Sequence, residues 1–212
     1  MKKTAFAFFA ALVLFFTAGL VSCADSTSSD SGDSSSVDSN ATATDAEKAV
    51  ITEMNYARTK PAEYVTKKLQ PLVSSSSGTY LTALNECISQ MNSMPARGEL
   101  SYGQGLYLAA KEWVNEQGKG SSTGHQSGWD SRIGKYCSYT KAGENIAYGY
   151  NSAEAIVIAL LVDDGVDDRG HRKNILELGG YGPYTHAGVA IGSHARYDTM
   201  CCIDFASGYA GK

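Results

Sequence analysis

The chain has 212 residues, of which 43% are hydrophobic, with 18 basic and 22 acidic side chains and a formal net charge of −4. That length suits one folded domain with accessory segments, and no basic run or basic helix face appears, so nucleic acid is excluded as a partner. Only four histidines are present.

The N-terminus reads as a targeting segment. Lys2 and Lys3 precede an apolar run from Ala5 to Val21 that ends at Leu20-Val21-Ser22-Cys23, the pattern of a signal peptide over residues 1–22. Leu-Val-Ser-Cys resembles the lipobox of bacterial lipoproteins, which implies acylation of Cys23 and a lipid anchor to a bacterial membrane, on the periplasmic side or at the cell surface. The apolar run is short for a membrane span. From Cys23 to about residue 43 the composition collapses to Ser, Asp, Thr, Asn and Ala. Such a segment lacks the apolar surface to repay ordering and is expected to be a disordered tether.

Residues 44–212 form the expected domain. Thr44-Asp45-Ala46-Glu47 is a capping-box pattern, followed by Val50, Met54 and Ala57 on one helical stripe, which Pro61 should interrupt after Lys60. Ser74 to Ser77 reads as a loop. Leu84, Cys87, Ile88 and Met91 repeat at helical spacing, as do Leu106, Ala110 and Trp113, with Gly118 as a C-cap. Beyond Asn151-Ser152 the run Ile156 to Val162 is apolar on every side and predicts a buried helix, and a short helix is expected after His171. His186 to Gly192 and Tyr197 to Phe205 read as two strands joined through a turn at Gly192-Ser193-His194-Ala195.

Apart from Cys23, the cysteines are Cys87, Cys137, Cys201 and Cys202. An exported protein can form disulfides, and one bridge from the Cys201-Cys202 pair to Cys137 or Cys87 is expected. Neighbouring strand residues face opposite ways, so at most one of the pair meets a given partner.

Three short runs carry the chemistry: Gly124-His125, Gly143-Glu144-Asn145-Ile146 and Gly170-His171-Arg172-Lys173-Asn174-Ile175-Leu176. His125 lies in a Gly/Ser-rich loop, where a polar side chain is free to serve a site. Glu144 opens a partly buried extended stretch and must be paired there. His171 sits close to Asp163, Asp164, Asp167 and Asp168, one of which can orient its ring. Two imidazoles and a carboxylate suit Zn²⁺ or another divalent metal, with His125 and His171 as its ligands. The bland alternatives are a solvated loop histidine, a structural glutamate and a histidine satisfied by a local acid. His186 and His194 are read as surface histidines, and Arg172 and Lys173 as solvated.

The chain from about Thr44 to its end resembles the CAP/SCP superfamily of cysteine-rich secretory, antigen 5 and pathogenesis-related proteins, in its bacterial lipoprotein branch. The resemblance rests on Asn55-x-x-Arg58-x-x-Pro61-x-x-Tyr64, Leu106-x-x-x-Ala110, Gly143-Glu144-Asn145-Ile146-Ala147 and Gly170-His171-Arg172-x-Asn174-Ile175-Leu176. It implies an α/β fold, an α-β-α sandwich with a small antiparallel sheet between helical layers, and a cleft of two histidines and two acids. The positions that match are His125, Glu144 and His171, with Asp163, or Asp164 beside it, where the eukaryotic branch has a glutamate. Leu160 stands where a tryptophan usually precedes this region.

The function expected is therefore a membrane-anchored binding module whose cleft takes a divalent metal, a small molecule, a lipid or a protein, with no assigned reaction. A metal-dependent hydrolase acting on peptide or cell-envelope material through His125, Glu144 and His171 is the alternative, although no His-Glu-x-x-His or Gly-x-Ser-x-Gly motif supports it. A third reading is an adhesive module presenting Tyr181, Tyr184, Tyr197 and Tyr209.

Overall fold

A computed structural model describes residues 37–212. The expected signal peptide, Cys23 and most of the expected tether lie outside the described residues. The tether's last stretch, Val37 to Ala43, lies against the domain: Val37, Ala41 and Ala43 join an apolar cluster with Tyr107, and Gln104 donates to the Ala41 carbonyl at 2.7 Å. Among the described residues no helix is long and apolar enough to cross a membrane.

The elements run α1 (Asp45–Thr59), α2 (Pro61–Tyr64), a π turn and a 3₁₀ turn to Ser75, α3 (Gly78–Ser93), β1 (Ser101–Tyr102), α4 (Gln104–Gln117), α5 (Trp129–Tyr136) and β2 (Cys137–Ser138). They continue with β3 (Lys141–Tyr148), α6 (Ala153–Val162), α7 (Gly170–Leu176), β4 (His186–His194), β5 (Asp198–Ser207) and β6 (Ala210–Gly211). α1 starts at Thr44 in the capping box expected of it, and Pro61 opens α2 as its first residue, where a missing N–H costs nothing. β4 runs through His194, so the turn falls at Ala195 to Tyr197, later than Gly192.

The main sheet has strand order β1-β4-β5-β3. β3, β5 and β4 are antiparallel, but β1 pairs parallel with β4, so the sheet is mixed and not wholly antiparallel. β2 and β6 form a separate two-stranded ribbon. Alternation along β5 assigns its two faces. Cys201, Ile203 and Phe205 face a core built from Val50, Met54, Leu84 and Leu160 of α1, α3 and α6. Met200, Cys202 and Ala206 face the other way, toward α4 and α5. α4 can lie this close to β4 because of Gly188, where a Cβ would stand 2.0 Å from the Tyr107 nitrogen.

The same alternation keeps the thiols apart. Cys87, Cys137, Cys201 and Cys202 are all buried and free, which corrects the expected disulfide. Cys201 packs with the α1/α3/α6 layer, Cys202 with α4, and Cys137 in a third cluster, where its Sγ donates to the Ile133 carbonyl at 3.6 Å. Cys87 shares a cluster with Cys201, yet its Sγ turns along α3 to Met91 Sδ at 3.7 Å.

Arg172, expected in solvent, is fully buried. Its guanidinium donates to the carbonyls of Leu161, Val162 and Ala83, which ties the unsatisfied C-terminus of the apolar helix α6 to α3. Arg58 does similar work beneath α1, donating to the carbonyls of Gly98 and Ile175 and to Glu177 Oε1 at 2.7 Å. Asn55 both donates to and accepts from the backbone of Leu100. The first-helix motif is thus scaffold.

Candidate functional site

β3 is one of the two edge strands of the main sheet, and its alternate residues address the two layers. Glu144 faces the α4/α5 side, where it stands directly opposite Asp204 of β5. Asn145 faces α7: its Nδ2 donates to the His171 carbonyl at 3.0 Å, and its Oδ1 accepts from Asn174 at 2.9 Å. Gly143 has no alternative at its position, because a Cβ there would meet the Tyr184 hydroxyl at 2.5 Å and Asn174 Oδ1 at 2.8 Å. The Gly-Glu-Asn run and the His-Arg-x-Asn run therefore lock into each other across the strand edge.

Two histidines reach this edge from opposite layers. His125, from the loop between α4 and α5, places Nδ1 2.6 Å from Glu144 Oε1. His171, in the first turn of α7, places Nδ1 2.7 Å from Asp163 Oδ1. Asp163 sits at the C-cap of α6 with a left-handed backbone (φ 56°), and its other oxygen accepts from the backbone nitrogens of His171 and Arg172. Of the two neighbouring aspartates, Asp163 meets the ring, whereas Asp164 is exposed and accepts from Thr79 at 3.4 Å. The ring centroids are 6.4 Å apart. Because a carboxylate occupies each Nδ1, Nε2 is the nitrogen of each ring left to meet a ligand.

A cavity of about 470 Å³ opens over this pair. Trp129, Tyr181, Tyr184 and Val166 make much of its wall, and His125, Glu144 and His171 supply the polar floor. Lys141 donates to the carbonyls of Gly180 and Gly182 and so holds the Tyr181 segment as a rim. A second cavity of about 280 Å³ adjoins at His171 and Val166 and is lined by Tyr148, Tyr150 and Tyr197. The four tyrosines considered for an adhesive face do not share one: Tyr184 is buried, Tyr181 and Tyr197 line different cavities, and Tyr209 stacks on His186.

Beneath Glu144 lies a charged cluster. Arg132 of α5 donates to Glu144 Oε2 and to both oxygens of Asp204, at 3.0 and 3.1 Å for the latter, and the Cys202 thiol donates to Glu144 Oε2 at 3.4 Å. Burial alone would raise Glu144, but the hydrogen bond from His125 and the Arg132 guanidinium hold it below the usual carboxylate range. Burial pushes Asp204 well above that range, against the pull of Arg132 and with the help of the Glu144 charge. Cys202 is raised by the same burial and by the two acids, so it remains a thiol. The cluster thus carries one guanidinium and two carboxyl groups, Glu144 held toward its charged form and Asp204 pushed toward its neutral one. Glu144, Cys202 and Asp204 bring ligand atoms within 4.8 Å of one another, a grouping of a size that could hold a metal ion. Arg132 already bonds to all three residues, and its positive charge competes with a cation there.

A family model of the cysteine-rich secretory protein family, CAP, matches residues 51–205. The chain belongs to this family. No curated protein and no solved structure matches the chain. In this CAP domain the matched segment runs from α1 to β5 and so contains both histidines and both of their carboxylates. Arg132 and Asp204, which lie buried beneath the floor of the CAP cleft, carry no motif of their own. Asp204 did carry a signal, as a lone acid inside the apolar run Met200 to Ala206; a buried carboxyl in a central strand requires a partner.

Proposed function

We propose that this CAP-domain protein is exported, anchored to a bacterial membrane through an acylated Cys23, and binds a divalent cation in its cleft as the seat for a small ligand. The observation that carries the metal reading is the pairing of each histidine Nδ1 with its own buried carboxylate, His125 with Glu144 and His171 with Asp163. Metal-binding imidazoles are held this way, since the carboxylate fixes the ring and raises the basicity of the opposite nitrogen. The donor set fits a borderline cation such as Zn²⁺ held by Nε2 of His125 and His171, with the remaining positions left to water or ligand. Such a cation would supply Lewis acidity to an oxygen-bearing ligand. The aromatic wall supports a ligand with an apolar body, and the family's name, that of secreted proteins, supports export.

Glu144 has both oxygens engaged, one by His125 and the other by Arg132 and Cys202. That arrangement suits an orienting carboxylate better than a general base, and it favours binding over hydrolysis.

Calorimetric titration with zinc tests the reading. One ion per chain is expected, with binding abolished by His125→Ala combined with His171→Ala and weakened about 10- to 100-fold by Asp163→Asn. Zinc binding indifferent to the double substitution would overturn the metal site. Mass analysis of the mature N-terminus tests the anchor, and a Cys23 without acyl groups would refute it.

A further inference from the structure

The loop that carries His125 is irregular from Gly118 to Gly128 and is held by side chains from elsewhere. Gly124 donates its backbone N–H to the Tyr148 hydroxyl at 2.8 Å, that hydroxyl donates to Gln117 Oε1 at 2.6 Å, and Gln117 Nε2 donates to the Gly124 carbonyl at 2.9 Å. The loop's other anchor is His194 at the end of β4. Expected at the surface, His194 is buried, with Nε2 2.9 Å from the Ser122 carbonyl.

We infer that His194 is a positioning residue for His125: it latches the cleft loop through Ser122 only while its ring is neutral, so that acid opens the loop. The tautomer follows from the partners. Nδ1 faces the backbone N–H groups of Arg196 and Tyr197, at 3.2 and 3.3 Å, and must accept from both, which leaves the single ring proton on Nε2 to bond to Ser122. A second proton, added to Nδ1, turns that acceptor into a donor facing two donors. The turn Ala195 to Tyr197 must then shift, and Ala195 N–H is itself bonded to the Gly118 carbonyl at the root of the loop.

Among the described residues no side-chain acceptor bonds to Nδ1. Tyr148 and Tyr197 flank it at 5.0 and 5.4 Å between centroids, Arg196 lies over Tyr197, and Asp198 stands opposite in register on β5. Lys119 follows Gly118 on the loop. Neither ring nitrogen bonds to a carboxylate among the described residues. His125, on the same loop, faces Glu144 through Nδ1 at 2.6 Å and not the His194 ring.

Amide hydrogen exchange of the metal-free full chain, corrected for the intrinsic pH dependence, reads the latch directly. Between about pH 7.5 and pH 5.5, within the span over which histidines ordinarily charge, protection of the Gly120–Gly128 segment is expected to fall about tenfold, the worth of a hydrogen bond or two. His194→Gln, whose amide still reaches Ser122 and does not titrate, should hold the segment protected at both pH values. His194→Ala should leave it open at both. Protection in the wild type that does not change with pH, or a His194→Gln variant that falls as the wild type does, would overturn the inference. Should His194→Ala not fold, Tyr148→Phe takes its place: it removes the other anchor, so protection should drop at both pH values while the acid-induced fall remains, and loss of that fall would count against His194. The exchange arm involves no metal and stands whether or not zinc binds. The consequence for the cleft rests on the proposed function: zinc affinity at about pH 7.5 should drop about tenfold in His194→Ala and recover in His194→Gln. Exchange as expected with no zinc binding in any variant would refute the metal reading alone.

Discussion

Glu144 is bonded on one oxygen to a half-exposed histidine and on the other to a buried arginine, and its response to substitution depends on which partner is lost. Arg132→Met would leave the Glu144 carboxylate buried without its cation, at a cost of about 3–5 kcal/mol in a urea unfolding curve. Asp204→Asn should cost under about 1 kcal/mol, because burial already pushes Asp204 toward its neutral form and an amide oxygen can still accept from Arg132. The pH dependence follows from Glu144. Its folded value lies below the unfolded one, so its contribution is fully present above the ordinary carboxylate value of 4.5 and is lost as pH falls through the lowered folded value. Glu144→Gln should therefore flatten the acid side of the stability profile, and a profile that stays as steep would place the titrating group elsewhere. At this scale the sequence announced His125, Glu144 and His171 through their glycine-flanked runs, whereas Arg132 lies in an eight-residue helix whose charges look solvated until the fold turns one inward.

Capping boxes are ordinarily local, but the box that opens α1 also reaches the sheet. Glu47 Oε2 accepts from the Thr44 backbone while Oε1 accepts from the Ile191 nitrogen of β4 at 2.9 Å. That nitrogen lies beyond the two-residue pairing with β1 and would otherwise be an open strand edge. Thr44→Ala should cost about 1 kcal/mol as a plain cap. Glu47→Ala should cost more, about 2–3 kcal/mol, because it also strands a part-buried N–H; equal costs in thermal melts would mean that the edge bond contributes nothing. The helices were legible because their apolar periodicity and caps are local signals. The parallel pairing of β1 was not, since two residues carry no period, and the extension of β4 through His194 was hidden by the polar character of Ser193 and His194.

For the molecule as a whole, the expectation of a disulfide came from the compartment, which says what chemistry is permitted and nothing about which thiols meet. The alternation of β5 and the course of α3 place the four in separate surroundings. A reductant should leave the melting temperature unchanged, and a thiol reagent should label the four domain cysteines only after denaturation; rapid labelling of the native chain would contradict their burial. The sandwich itself was legible through the family resemblance, because the order of its motifs reflects the contacts that Asn55, Arg58, Asn145 and Asn174 make between layers. Three arginines, Arg58, Arg132 and Arg172, sit almost without solvent among acceptors drawn from segments far apart in the chain. None can shed its water until those segments have all arrived, since a guanidinium with half its acceptors missing is a charge stranded in the interior. Half-assembled packing of the layers is thereby penalised, which favours folding of the core as one cooperative unit and confines partial opening, and with it the reach of a protease, to surface loops such as Gly118–Gly128.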